Sequence, residues 1–562
     1  MAYLDSKFLF FTTSPRTPEK MIPEISLLIE EFNGRIWDTK TQTEFYNSLL
    51  QSDFFEGAGG SKDKALSARD RITRAPKSLG FVDVSHTIAL TEAGKELIYG
   101  TRPQEVFLRQ LLKFQLPSPY HRESPSIKGN LYIRPYLEIL RLIRELEYLT
   151  FDELKVFAMQ LTDYRKFNLI KKKILNFRQA ILAKKISYNK LLDEIWTKSI
   201  LHAYSKTIKE GKTKTRETGD ASLQKFVITK KNNHRDYADA CFRYLRYTGL
   251  VAIEHQNRII KFYPEKINQI DFILKTAERA PVFVDDKIQY TKHLFSATEP
   301  VLYDDKKENI VNSIIQTGYF TEELIENMTI NELKDIRDHI ISDRKYNLIS
   351  SQVKKIKSYS LYSEIMAMFN DIISNDIYDA PLMLEYNTWR AMTMLNGGKI
   401  KGNFRLDDFG APLSTAQGNM PDIECDYGDF VLAVEVTMQN GQRQYESEGE
   451  PVARHYGQIK QRTGKTTYCL FIAPKINPAA LVHFWNLNQI NNFYYGGKTQ
   501  IIPLDLSQFM KLLMNSYNYK NHPQSKDVRL FLDSAIAKIA ESKDENAWRV
   551  KIQEVIDLWP IS

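Results

Sequence analysis

Glu435 lies within Val431-Leu432-Ala433-Val434-Glu435-Val436, an apolar run suited to a fully buried strand, where an unpaired carboxylate is costly. Such a group either forms a salt bridge with a neighbouring cation or ligates a metal ion. The nearby chain supplies little beyond Arg443, which favours the metal. Pro421-Asp422 stands 13 residues earlier, and a hairpin between the two places both carboxylates at one end of a sheet. The surrounding residues 418–450 hold eight acidic residues (Asp422, Glu424, Asp426, Asp429, Glu435, Glu446, Glu448, Glu450) against one basic residue, Arg443. A surface so charged repels a polyanion unless divalent cations bind, and hard oxygen ligands of this kind hold Mg²⁺.

A histidine follows on the next helix. The pattern predicts that helix over 447–461, with Ser447 as N-cap and Pro451 in its first turn. His455 falls seven residues after Glu448, two turns along the same face. It either positions an attacking water or a phosphate, or packs beneath the sheet. The elements that must hold these side chains are a helix opened by Leu384-Glu385-Tyr386-Asn387-Thr388-Trp389-Arg390, paired strands over 421–427 and 430–437 about a turn at Gly428, a buried strand over 467–473 stopped by Pro474, a helix over 479–489 and a strand over 500–503. This interleaving makes an α/β core.

The N-terminal half is different. Two segments read as helix plus wing: a helix over 67–79 before strands at 80–84 and 87–90 and a new helix from Thr91, then a basic helix over 236–247 turning at Gly249 into strands at 250–253 and 258–262, stopped by Pro264. Such units serve DNA and proteins alike, so charge decides. Residues 165–240 carry 19 Lys and Arg against 7 Asp and Glu, an excess larger than the +8 of the whole chain, which leaves the remainder net acidic. Lys171-Lys172-Lys173, Lys184-Lys185 and Lys230-Lys231 contribute, and Lys212, Lys214 and Arg216 lie in a Gly- and Thr-containing stretch able to follow a phosphate backbone. Arg69, Arg71 and Arg74 fall within six positions ahead of the first wing, where bidentate Arg–guanine contact is the commonest base readout and phosphate clamping the alternative. Double-stranded DNA is the expected partner. From 276 to 375 the chain reads as charged helices, Glu322-Glu323-Leu324-Ile325-Glu326 among them, without nameable chemistry.

Composition bounds the rest. With 562 residues, 43% hydrophobic and 26% charged, the chain is a folded protein of several domains. No apolar run approaches the ~18 residues of a membrane span, so a membrane partner is not expected. Cys241, Cys425 and Cys469 are far apart without CxxC spacing, which suggests neither disulfides nor zinc and fits a reducing cytosol.

Pro421-Asp422, a gap, and Glu435 on an apolar strand follow the PD-(D/E)xK nuclease pattern, with Thr437 where Lys usually stands. Around them lie Gln417-Gly418-Asn419-Met420-Pro421-Asp422-Ile423-Glu424, Glu450-Pro451-Val452-Ala453-Arg454-His455-Tyr456 and Tyr468-Cys469-Leu470-Phe471-Ile472-Ala473-Pro474. The N-terminal half adds Thr13-Ser14-Pro15-Arg16-Thr17-Pro18-Glu19-Lys20, Leu90-Thr91-Glu92-Ala93-Gly94 and Arg243-Tyr244-Leu245-Arg246-Tyr247-Thr248-Gly249-Leu250. With these motifs the chain resembles the AlwI-family type IIS restriction endonucleases, some of whose relatives nick one strand. The resemblance implies a bacterial cytoplasmic enzyme that recognises a short asymmetric duplex site and cuts a few base pairs away, using Mg²⁺ and leaving 5′-phosphates. By motif, its acidic site falls on Glu385, Asp422, Glu435 and Glu448, with Asp422, Glu435 and Glu448 as metal ligands and His455 as the candidate beside them. Arg16, Arg243 and Arg246 join the expected DNA contacts. A cognate DNA methyltransferase is implied as genetic partner, and a transient homodimer or second subunit for double-strand cleavage. Alternatives are a strand-specific nicking enzyme or a large subunit, a structure-reading repair nuclease, and a DNA-binding regulator with an inactive nuclease domain. The expected fold is multidomain α+β: a helical DNA-recognition region with two winged-helix-like units over 1–275, a helical linker over 276–375, and a C-terminal α/β PD-(D/E)xK restriction-endonuclease-like domain over 376–562.

Overall fold

The computed structural model describes residues 2–4, 6–52, 54–55, 61–124, 128–183, 187–215, 217–317, 327–395, 397–519 and 522–560. The chain divides into two compact units, one drawn from Met1–Ser52 and Gly59–Asp338, the other mainly from His339–Ser562.

In the first unit, Asp63 caps the helix Lys64–Thr73 by accepting from the Leu66 N–H at 2.8 Å. That helix ends at Arg74, ahead of Pro76, and a short helical turn Ala75–Ser78 follows, so the single helix expected over 67–79 is broken where proline cannot continue the ladder. The strands Val82–Asp83 and Ala89–Leu90 pair antiparallel. Thr91 then caps Glu92–Tyr99, accepting from the Gly94 N–H at 2.9 Å. Gly94 is needed because a Cβ there would lie 2.0 Å from the Phe81 carbonyl oxygen. The second helix-and-hairpin segment is also present: Leu223–Tyr247 leads through Gly249, at φ +69°, into the antiparallel strands Val251–Glu254 and Ile259–Phe262. A third strand, Leu149–Thr150, pairs with Ile259–Phe262 and was not legible from the local pattern.

Residues 276–375, expected as a linker, are shared between the two units. Glu322-Glu323-Leu324-Ile325-Glu326 lies outside the described residues. Within the first unit, the start of the long helix Ile330–Lys357 is held by buried charge: Lys334 bonds Glu105 and Asp305 at 2.7 and 2.8 Å, and Arg337 bonds Glu105 at 2.9 Å and also Asp304.

The second unit contains a five-stranded mixed sheet. The sheet strands and the helices that bear on the site are, in chain order, α1 (Ala380–Met394), β1 (Lys399–Gly402), β2 (Ile423–Asp426), β3 (Phe430–Val436), α2 (Gln442–Thr463), β4 (Thr466–Ala473), α3 (Pro478–Gln489) and β5 (Ile501–Asp505). The strand order is β5-β4-β3-β2-β1, with β3, β4 and β5 parallel and β2 antiparallel to both its neighbours. The β2–β3 hairpin turns at Gly428, whose φ of +94° disfavours a side chain. Parallel strands joined by helices are covered on both faces, hence the nearly unbroken burial of Phe430 to Val434 and of Tyr468 to Ala473.

α2 corrects one expectation. It starts at Gln442, after Gly441, rather than at Ser447, and Pro451 is inside it. Proline there leaves the Ser447 carbonyl without its usual N–H donor, at about 3 kcal/mol, which burial of Val452, Ala453, His455, Tyr456 and Ile459 along the same helix offsets.

Candidate active site

The hairpin register fixes the carboxylates. Ile423 pairs with Val434, so Asp422 falls at the carboxyl-terminal end of β3, and its Oδ2 accepts from the Val436 N–H at 2.7 Å. Asn403 secures the other side, donating from its backbone N–H to the Asp422 carbonyl at 2.9 Å and from Nδ2 to the Pro421 carbonyl at 2.7 Å. Glu435 pairs in register with Phe471 of β4, is 7% exposed, and places Oε1 2.8 Å from His455 Nδ1. Glu385 comes from α1, 7% exposed, and accepts from the Ala416 N–H at 2.9 Å. Glu448 comes from α2, where its Oε1 accepts from the Thr437 hydroxyl at 2.9 Å.

Charge links these groups to one another. Burial, then the charges of Asp422, Asp379 and Glu435, raise the Glu385 carboxyl well above its ordinary range against the Ala416 N–H. Glu435 is raised likewise, by burial and then by Glu448, while a backbone N–H at Asp422 and the charge of Arg454 act the other way. Cys469 feels Glu435 and Asp422 too, but burial comes first and holds it as a neutral thiol, a poor ligand. The donor set is therefore hard oxygen with one imidazole, which suits Mg²⁺ or a similar cation that would relieve the carboxylate repulsion. Among the described residues no three His, Cys, Asp or Glu side chains are already gathered as a ligand group.

Thus Glu385, Asp422, Glu435, Glu448 and His455 belong to one neighbourhood through hydrogen bonds and charge. Sequence reasoning missed two parts of it: the Thr437–Glu448 bond, and the bond from Arg454 Nη1 to Asn419 Oδ1 three residues before Asp422. Neither bond has a local signal in the sequence, since each joins residues on different elements.

The expected DNA contacts scatter more widely. Arg69 is exposed and forms no ion pair among the described residues. Arg71 pairs with the buried Glu24, and Arg74 with Asp70 four residues before it. Arg16 bridges Asp236 and Asp239 at 3.2 and 3.6 Å, and Arg243 also bonds Asp239, at 3.1 Å. Arg246 is 5% exposed, inside the unit, so its guanidinium is not at a surface a base could reach without rearrangement. Lys212 and Lys214 are exposed, Lys212 beside Glu210 at 3.0 Å, whereas Lys184, Lys185 and Arg216 lie outside the described residues. Arg69→Ala is accordingly expected to weaken specific over nonspecific binding by about 1 to 3 kcal/mol, about fivefold to 150-fold, in competition binding at fixed salt. A uniform loss across sequences would assign Arg69 to phosphate instead.

A family model over most of both units, the largely helical one and the carboxylate-bearing mixed-sheet one, makes the chain a type II site-specific deoxyribonuclease. The chain belongs to the AlwI restriction endonuclease family, whose family model matches residues 77–512. Restriction endonucleases of this kind bind DNA, and the family generally uses divalent metal ions. No curated protein matches the sequence. Similar solved structures include the small subunit R.BspD6I2 of the heterodimeric restriction endonuclease R.BspD6I, at 23% identity and a TM-score of 0.30 over 34% of this chain and 97% of that one. The BpuJ1 endonuclease binding domain, solved with pyrene- and phenanthrene-modified DNA, gives 15%, 0.32, 50% and 92% in the same order. Restriction endonuclease FokI gives 12%, 0.24, 94% and 99%.

Proposed function

We propose that the chain is a type IIS restriction endonuclease, which recognises a short asymmetric duplex site through its first unit and hydrolyses phosphodiester bonds a few base pairs outside it with Mg²⁺. The observation that carries this reading is the linkage of Asp422, Glu435, Glu448 and Glu385 about the carboxyl end of β3, where the Glu385 and Glu435 carboxyls are raised by burial first and then by neighbouring carboxylates. Asp422, Glu435 and Glu448 would hold the ion. When bound, it supplies a lowered pKa for water and neutralisation of charge on the phosphate.

The chain's own groups do the rest. The Val436 N–H keeps Asp422 turned toward the end of β3. Thr437, neutral at the position of the usual Lys, orients Glu448 by its hydroxyl. His455, bonded to Glu435 through Nδ1, is placed to orient the attacking water or accept its proton. Attack forms a new P–O bond, the P–O3′ bond breaks, and the 3′ oxygen takes up a proton, which leaves a 3′-hydroxyl and a 5′-phosphate.

One such site hydrolyses one strand at a time, so cutting both needs a second catalytic domain, from a transient homodimer or another subunit; a strand-specific nicking enzyme or a large subunit is the second reading. A cognate methyltransferase would protect the host. No helix among the described residues is long and apolar enough to cross a membrane. The proposed place of action is the bacterial cytoplasm, where a restriction enzyme meets incoming DNA. The test is digestion of supercoiled plasmid with Mg²⁺ and run-off sequencing of both strands. Linear fragments at fixed offsets from one asymmetric motif are expected; open circles cut on one strand select the nicking reading, and specific binding without any cut would refute catalysis.

A further inference from the structure

Thr437 leaves the site without the positive charge that lysine brings at that position, yet the transition state of phosphodiester hydrolysis gathers negative charge on the non-bridging oxygens. We propose that Arg454 supplies this charge, donating from its guanidinium to a non-bridging oxygen of the scissile phosphate, with Asn419 holding it in place. The inference rests on the reading of the acidic cluster as the hydrolytic site.

Arg454 stands on α2 beside His455, and its side chain is 25% exposed, neither sealed inside nor loose in solvent. Nη1 donates to Asn419 Oδ1, and Asn419 lies in the segment that delivers Asp422. Nε faces Glu450 Oε2 at 3.3 Å, one turn back on the same helix. These two contacts fix the plane of the guanidinium. Nη2 makes no hydrogen bond to a described residue, so one end of the fork is left to donate. The charge also reaches the site: Arg454 is the cation that opposes the upward shift of Glu435. A helix-surface partner for Glu450 alone would not need the second bond to the Asp422 segment. A planar, permanently charged fork suits a phosphate better than a lone ammonium.

The experiment is single-turnover cleavage, with Mg²⁺ and saturating enzyme, of a duplex carrying the site mapped by plasmid digestion, beside binding of that duplex without divalent metal. Arg454→Met is expected to cut about 100-fold more slowly with its affinity changed less than about threefold. Guanidinium ion added to Arg454→Ala is expected to restore at least about tenfold of the lost rate, which replacement of a merely structural group would not show. A Met variant that cuts within about fivefold of wild type, a slowing explained by lost binding, or absence of rescue would overturn the proposal. Should the Met and Ala variants fail to fold, Arg454→Lys decides: about tenfold slower cutting with unchanged binding supports the planar fork, and the wild-type rate refutes it. Asp422→Asn, run in parallel, separates the two readings. If it cuts normally, the acidic site is wrongly placed; if it is dead while Arg454→Met cuts normally, only the role of Arg454 falls.

Discussion

Glu435→Gln is expected to cut DNA at least about a thousandfold more slowly than the wild type and yet to unfold at a higher temperature in metal-free buffer near pH 8. Two opposite effects follow from one cause. Burial and the charge of Glu448 raise the Glu435 carboxyl well above its ordinary value, so folding favours its protonated form. Stability from such a group is fully present below the unfolded-state value and is lost as pH rises through the folded one. Glu385 carries the same sign, from burial and Asp422. The metal-free wild type should therefore lose thermal stability between mildly acidic and mildly alkaline pH, and Gln should blunt that loss while keeping an oxygen for His455 Nδ1. Added Mg²⁺ should raise the wild-type midpoint at high pH by mass action and the variant's much less. Melting curves against pH and Mg²⁺, set beside cleavage rates, check all of this. A variant both inactive and less stable would assign Glu435 to the fold; one that cuts normally would remove it from the chemistry.

The strands that position this site were legible because their signals are local. The unbroken apolar runs at β3 and β4 mark buried parallel strands, and Gly428 marks the hairpin that sets Asp422 against Glu435. Where a signal had two physical causes, the reading failed. Pro451 resembles a first-turn proline, but tertiary packing of α2 tolerates it in the interior. Neither position ahead of a wing nor membership of a motif says which way a helical side chain faces, so the sequence does not separate the exposed Arg69 from the enclosed Arg246. Arg71 stays partly exposed while pairing with the buried Glu24, and Arg246 is enclosed where Phe242, Tyr244, Leu245 and Tyr247 are all buried. Contacts between residues remote in sequence left no trace at all: Leu149 beside Ile260, Arg454 on Asn419, Arg337 on Glu105.

That last contact supports the second large effect. Arg337→Met is expected to destabilise the first unit by about 3 to 5 kcal/mol, because it strands several carboxylates rather than deleting one bond. The Arg337 side chain is 15% exposed and reaches Glu105 and Asp338 at 2.9 and 2.7 Å, as well as Asp304. Burial alone would raise Glu105, and the charges of Arg337 and Lys334 reverse it to a lowered value. Burial opposes the same outcome at Asp305, where hydrogen bonds from Arg109 and Lys334 hold the carboxyl at about 2, below its ordinary 3.8. Groups lowered in this way stabilise the fold above their unfolded value, and that contribution disappears as pH falls through the folded one. The wild-type network should thus resist acid until roughly pH 4 and fail toward pH 2. Without Arg337, Glu105 loses its leading partner and Asp304, already raised by burial, rises further, so the acid transition should move toward neutrality. Calorimetry against pH measures both shifts. Met is the informative substitution since it keeps most of the buried chain length: a normal melting temperature would mean that Lys334 and Arg109 alone neutralise the cluster. A fall matched to the acid shift would locate the stability of the Ile330–Lys357 helix start in charge compensation rather than in the packing of the buried Leu333 and Ile340.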